Sequence, residues 1–413
     1  MSELQDMKPL DDIRVISLSQ YMSAPYATML LADMGAEIIK IERPGTGDPR
    51  RSIPPFPEEA ENEEDAIGGG FMAYNRNKKS VALNLKTDEG VQAFKDIAAE
   101  SDVLVENMRP GSMESLGIDY DTLKEINPGL IYASISGFGK LEGYRGPYTD
   151  RPALDIVVEA MSGIMQLNGF EDRPPQWTIY GMADLYSGLV TAFSIMLAVH
   201  QRERTGEGQY VDTAMYDSLL SLNERMVMLY SFTEEMQPRG RLRHQGPRGA
   251  YLAEDGYVAL NVPNDAMWES LCEVMDRTDL IEDERTATGP SRAQNDDFVR
   301  EVIEDWLAGK TQSEACKLLN DAGVPTGPVQ TAEEIFEDPQ VEAREMLVDI
   351  EDPEYGEQTF ARTPMRLSDA EEIEKSPAPR LGEHTRDILA DIGGYSDDKI
   401  TELEANEAIE SSD

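Results

Sequence analysis

Over the first 150 residues, short apolar runs alternate with stretches whose apolar side chains recur every three or four positions. Residues 13–18, 36–42, 80–85, 102–106 and 130–136 read as strands, because each is a short apolar run bounded by Gly, Pro or polar residues. Residues 25–34, 87–100 and 118–126 show the helical spacing, and Gly35 stops the first of them. A polar segment over residues 48–70 interrupts the series, and its Gly68-Gly69-Gly70 run reads as a flexible hinge. Strands alternating with helices predict an α/β chain with a mostly parallel sheet covered by helices. Ligands of such sheets lie beyond the carboxyl ends of the strands, so the residues after Glu42, Leu85, Glu106 and Ser136 are the ones to read for chemistry.

Downstream, Leu185, Leu189, Phe193, Met196 and Leu197 recur at helical spacing in a long helix over residues 184–204, ended by Gly206 and Gly208. A strand over 209–212 and a single helix over 218–232 follow. Residues 233–247 are basic and loop-like, residues 249–324 read as a smaller lobe, and the remainder reads as charged and helical. The longest apolar stretch, 188–199, is shorter than the ~20 residues of a membrane span. The first 20 residues carry acids and no long apolar run, so no signal peptide and no membrane partner are expected.

Charge adds one constraint. The 413 residues include 80 Asp and Glu against 37 Lys and Arg, of which 12 are Lys, for a formal net charge of -43. Hydrophobic residues still make up 40%, and the acids lie between apolar segments, so the acidity belongs to a folded surface. Such a surface repels nucleic acid, which is not expected as a partner. It fits adaptation to high salt, where screening quenches the self-repulsion. Cys272 and Cys316 sit in no metal-type spacing and read as buried small side chains of a cytoplasmic protein. His200, His244 and His384 lie far apart, and no metal site is expected. The chain has no P-loop sequence, no GxGxxG after its first strand and no GxSxG elbow, which argues against the classes those motifs mark.

Seven segments are distinctive: residues 35–48 (GAEIIKIERPGTGD), 75–81 (NRNKKSV), 105–111 (VENMRPG), 181–188 (GMADLYSG), 202–212 (RERTGEGQYVD), 323–329 (GVPTGPV) and 381–385 (LGEHT). In this order, from about Leu10 to Leu403, they closely resemble the family III CoA-transferases, a group that also contains alpha-methylacyl-CoA racemase. The resemblance implies a Rossmann-like large domain formed by both chain ends, residues 1–225 and 331–413, and a smaller α+β middle domain, residues 226–330. It further implies a subunit ring interlocked with a second one in a homodimer. Acyl-CoA and carboxylic acids are the implied substrates, coenzyme A thioesters among them, with no permanently bound cofactor.

Matching the family's Asp-x-x-x-Gly pattern puts its catalytic nucleophile on Asp184. The residues agree: an Asp just before a long helix meets unpaired N–H groups and the positive end of the dipole, which favour an ionised carboxylate. Such a carboxylate attacks a thioester carbonyl and releases CoA as thiolate, leaving a mixed anhydride that the incoming acid opens. Water must be kept out. The resemblance assigns CoA to Met22, Ser23, Arg43, Tyr74, Asn75, Arg76, Asn77, Asn107, Met108, Arg109, Ile135, Ser136, Gly137 and Phe138. Arg43 and Arg109 suit phosphate. Formyl-CoA transferases have an Arg near Ser115 and a Lys near Ser136, and their absence shifts phosphate contacts toward Arg76 or Arg109.

Within the family, Leu154 stands where the racemase branch has a His. Leu takes no proton, so the two-base isomerisation lacks one base and the transferase reading is preferred. The four-glycine loop of formyl-CoA transferases is not evident, and the matching region, 244–249, is richer in cations. Arg151, Arg173, Arg243 and Arg248 are candidates to bind a second carboxylate. Such cations favour a dicarboxylate pair, succinyl-CoA with mesaconate, malate or citramalate, and the resemblance, together with the salt-adapted acidity, puts mesaconate first.

Overall fold

The computed structural model describes residues 8–58, 60, 66–240, 246–371 and 373–412. The chain divides into two compact units, one joining residues 1–166, 176–234 and 345–413, the other joining 167–175 and 235–344.

In the larger unit, six strands form a parallel sheet: β1 (Arg14–Leu18), β2 (Glu37–Glu42), β3 (Lys78–Leu83), β4 (Val103–Glu106), β5 (Ile131–Ser136) and β6 (Tyr210–Ala214). Their order is β3-β2-β1-β4-β5-β6, and a short antiparallel strand, Ile409–Glu410, closes the β3 edge. The central strands are almost wholly buried, as parallel strands covered on both faces must be. Val15, Ile38, Val105 and Ile131 pack toward the Ser23–Ala32 and Met182–Thr205 helices. Ile16, Ile39, Leu104 and Tyr132 pack toward helices Asp88–Ala99, Tyr120–Ile126 and Thr385–Asp391. Strand order reverses between β1 and β4, which opens a crevice at their carboxyl ends. Asn107 ties the two loops there: its Oδ1 accepts from the Gln20 N–H at 2.9 Å, and its Nδ2 donates to the Gln20 carbonyl and to Ser23 Oγ.

The second unit carries an antiparallel sheet of Arg248–Leu252, Tyr257–Asn261 and Thr326–Pro328. Its own core gathers Trp268, Leu271, Ile303 and Leu319, together with Cys272 and Cys316, whose thiols are free and buried.

Several sequence readings change. The helix expected over 218–232 is two, Met215–Leu222 and Glu224–Thr233, separated at Asn223, whose side chain donates to the Ser162 carbonyl. The C-terminal part is not only helical: Leu347–Asp352 and Gly356–Ala361 form a hairpin whose period-two pattern is obscured by its acids. The triple glycine is no hinge. Gly69–Asn75 is a helix with Gly68 before it, where a Cβ would strike the Ile53 carbonyl oxygen, and a Cβ on Gly70 would strike the Arg50 guanidinium. Finally, the 24-residue Met182–Thr205 helix is long and apolar enough to cross a membrane by length and composition. In this unit its Ala183, Ala192, Ile195 and Val199 join the core beside the sheet.

Candidate active site

Buried charge gathers along β2 and the turn after it, and at the start of β3. Lys40 Nζ donates to the Ser19 carbonyl and to Asp48 Oδ2, both at 2.9 Å. Asp48 Oδ1 accepts the Arg50 N–H at 2.9 Å and so caps the short turn Pro49–Ser52. Arg51 grips Glu42 with Nε and Nη2 at 2.8 and 2.6 Å, donates to the Pro379 carbonyl, and lies 3.8 Å from the Phe71 ring centroid. Burial pushes the Glu42 carboxyl up, but the Arg51 fork outweighs it and brings the carboxyl down to about 2. Lys78 Nζ donates to the Pro25 carbonyl and Asn75 Oδ1, and burial, aided by the Lys40 charge, holds it well below the usual lysine range.

Asp184 sits in the first turn of the Met182–Thr205 helix. Gly181, at φ +86°, is the residue before the helix, so Asp184 is not the cap that the sequence pattern suggested. A side chain at Gly181 would also collide with the Met22 methyl group. The acceptor at the helix start is Asp155, whose Oδ1 takes the N–H groups of Ala183 at 2.6 Å and Asp184 at 3.3 Å. Its other oxygen, Oδ2, is buried with no hydrogen-bond partner. The neighbouring helix comes close because Gly188 allows it: a Cβ there would lie 2.6 Å from the Ser23 carbonyl oxygen. The Ser23 side chain, which accepts from Asn107 Nδ2 at 3.2 Å, lies near enough to Asp184 to favour its charged form.

Burial first, and then the charge of Asp155, push the Asp184 carboxyl up to about 7; Ser23 and the Arg50 charge oppose this without cancelling it. Desolvation and the like charge of Asp155 thus work against the helix start, which favours the ionised carboxylate. Arg50 Nη1 donates to the Tyr180 hydroxyl at 2.9 Å. Tyr74 packs edge-on against Tyr26, with centroids 5.9 Å apart, and burial raises its hydroxyl despite the charge of Arg50.

A cleft of about 200 Å³ opens above the ends of β1, β2 and β3. Leu18, Ile41, Leu83 and Leu116 give it apolar walls, and the exposed Arg43 and Lys86 place cations on its lining. Apolar walls with two cations suit a heterocycle carrying phosphates.

The residues assigned to CoA divide accordingly. Arg43 and Met108 line the cleft; Met22 and Ser23 lie at Asp184. Tyr74 lies within the electrostatic reach of Arg50 and Asp184. Asn107 ties the loops at the crevice and Arg109 is exposed beside it. Asn75 is buried and bonded to the Phe71 carbonyl and Lys78. Arg76 is committed to Asp33 at 2.7 Å, which Asn77 also reaches at 3.0 Å, so the phosphate role expected of Arg76 has no free fork behind it. Ile135 and Ser136 end β5, and Gly137 and Phe138 follow it, all outside the cleft lining: Ile135 is in the core, Ser136 Oγ accepts the Gly139 N–H, a Cβ on Gly137 would meet Ala153, and Phe138 packs on Tyr148. Lys140 holds the cation at this strand end, neutralised by Glu106 at 2.9 Å.

Among the candidates for a second carboxylate, Arg151 lies over the Tyr148 ring at 4.1 Å. Arg173 and Arg248 belong to the second unit, and Arg243, with His244 and Gln245, lies outside the described residues. Sequence reasoning missed Arg50, the capping role of Asp155 and the place of Lys86. The signal for Arg50 was the Asp48-Pro49 pair, a cap followed by proline, which fixes the turn that presents it. Among the described residues no group of His, Cys, Asp and Glu could hold a metal ion.

The family model for CoA-transferase family III matches residues 10–385. The succinyl-CoA:mesaconate CoA-transferase of Haloarcula hispanica is 43% identical over 390 residues, covering 94% of this chain and 97% of its own. The succinyl-CoA--D-citramalate CoA-transferase of Chloroflexus aurantiacus is 33% identical over 412 residues, covering 99% of this chain and 100% of its own. Among solved structures, a CAIB/BAIF family protein from Brucella suis superimposes with a TM-score of 0.83 at 34% identity, covering 93% of this chain and 99% of that one. By sequence, by fold and by the crevice that its strand order creates, the chain belongs to CoA-transferase family III and is a CoA-transferase.

Proposed function

We propose that the chain moves CoA from succinyl-CoA to mesaconate, with Asp184 as the covalent carrier. The observation that carries this reading is the setting of Asp184: a desolvated carboxyl in the first turn of the helix that Gly188 brings against Ser23, beside the β1/β4 crevice. An Asp184 oxygen attacks the thioester carbonyl, the C–S bond breaks, and CoA leaves as thiolate from a succinyl–aspartyl anhydride. The thiolate attacks the Asp184 acyl carbon, releasing succinate and leaving an aspartyl–CoA thioester. Mesaconate attacks that carbon and expels the thiolate, which then takes the mesaconyl group and frees Asp184. Each step exchanges one acyl acceptor for another, so no net proton or water is consumed. Water competes at every intermediate, which is why a desolvated site serves.

The names of the Haloarcula and Chloroflexus relatives support a dicarboxylate pair, and leave succinyl-CoA with citramalate as the second reading. Isomerisation is disfavoured by the exposed Leu154, which offers no base. CoA lies in the cleft with Arg43, Lys86 and Met108, its thioester end reaching Ser23 and Asp184. The working form is the interlocked homodimer, in the cytoplasm. Leu189, Phe193 and Leu197 are 46%, 64% and 55% exposed along one face of the long helix, an apolar stripe that a chain of charge -43 has reason to cover.

The test is a transfer assay in molar salt with succinyl-CoA and a panel of dicarboxylic acids, read by chromatography of the CoA esters. Mesaconyl-CoA forms with the wild type and not with Asp184→Ala. Solvent deuterium entering the α-carbon of an acyl-CoA with no acceptor present would instead mark an isomerase.

A further inference from the structure

Four arginines are buried in the described residues, in a chain with more than two acids for every base. Arg51 pairs with Glu42, Arg76 with Asp33 and Arg292 with Asp265. Arg50, 8% exposed, has no carboxylate within 4 Å among the described residues. Its Nη1 reaches only the neutral Tyr180 hydroxyl, and its Nε is buried and unbonded. The Nε of Arg292 is unbonded too, but Asp265 neutralises that guanidinium at 2.5 Å. A buried cation with no carboxylate in contact is costly, and a fold this rich in acids had carboxylates at hand.

The arginine is held in place and is not loose. Asp48 fixes its backbone N–H, the Tyr180 ring lies 5.4 Å from its guanidinium carbon, and Gly70 leaves the room that a Cβ would fill. Its charge is felt at Asp184 and at Tyr74. A planar fork with a free N–H, close to the nucleophile, fits an anion that arrives with the substrate.

We propose that Arg50 is the specificity residue that binds the distal carboxylate of a dicarboxylic acyl group while the proximal carbonyl meets Asp184. This rests on the dicarboxylate reading above and names the residue behind it. Arg50 then supplies no bond making or breaking; it holds the chain of the acyl group so that only a substrate with a second carboxylate completes its fork. A site built to pair such a group discriminates strongly against the analogue lacking it, because the buried cation is then left bare.

The experiment compares kcat/KM for succinyl-CoA and butyryl-CoA as donors to one acceptor, in wild type, Arg50→Met and Arg50→Lys. The wild type prefers the dicarboxylic thioester. In Arg50→Met the succinyl-to-butyryl ratio falls about 100-fold, chiefly through KM for succinyl-CoA, and Arg50→Lys recovers part of it. Gly70→Ala, which pushes on the guanidinium without removing it, lowers the same ratio and serves if Arg50→Met does not fold. Equal losses for both thioesters would overturn the proposal and place Arg50 at the reacting carbonyl, with the dicarboxylate reading intact. A wild type that transfers CoA from both thioesters with no preference would overturn the dicarboxylate reading and this inference together.

Discussion

Arg50 and Arg51 are adjacent in one short turn, and their surroundings differ in kind. Arg51 is complete: two bonds to Glu42, a backbone carbonyl, and the face of Phe71. Around it Lys40 and Asp48 pair with both side chains fully buried. Among the described residues the Arg50 guanidinium has one hydrogen bond, to the Tyr180 hydroxyl, an unbonded Nε, and a charge that is felt at Asp184. A buried ionic group whose every bond is made holds the fold together. One left incomplete beside a nucleophile stores its pairing for a ligand.

The difference can be broken at several points. The largest effect is on Asp184→Ala, which lowers the transfer rate by about 10³-fold or more while circular dichroism stays native, since a covalent step loses its nucleophile. Next comes stability. Arg51→Met strands the buried Glu42 carboxylate and costs about 3–5 kcal/mol, whereas Arg50→Met changes unfolding by about 1 kcal/mol or less. Urea titrations of both variants in molar salt check the contrast, and equal losses would erase it.

The raised carboxyl of Asp184 predicts two pH effects. Transfer activity rises with pH through a midpoint of about 7 as the carboxylate forms, and Asp155→Asn moves that midpoint down by removing a like charge. In stability the sign is the reverse. The folded state holds the Asp184 proton more tightly than the unfolded chain, so this contribution is present below the unfolded value of 3.8 and lost as pH rises through about 7. Asp184→Asn therefore gains about 1–2 kcal/mol on the wild type at pH 8 and nothing at pH 4. The smallest and most general effect is of salt: diluting from molar salt lowers the melting temperature, because the charge of -43 loses its screening.

Much of this was legible before the fold was known. The five N-terminal strands were visible because parallel strands are apolar throughout, and their carboxyl ends pointed to the crevice. Asp184 came from its motif, but its protonation did not, since burial and the Asp155 neighbour 29 residues away are tertiary facts. Gly68 and Gly70 looked like freedom and are instead close packing against Ile53 and Arg50. Arg76 and Arg50 are alike as letters; what separates structure from site is that Asp33 pairs with one and that, among the described residues, no carboxylate pairs with the other.

The most direct test of the central claim is peptide mass spectrometry after incubating the enzyme with succinyl-CoA and hydroxylamine in molar salt. The expected product is a hydroxamate in place of the carboxyl on the peptide that carries Asp184, formed only when the thioester is present and absent in Asp184→Ala. Turnover of succinyl-CoA to mesaconyl-CoA with an unmodified Asp184 peptide, retained in Asp184→Ala, would contradict the claim.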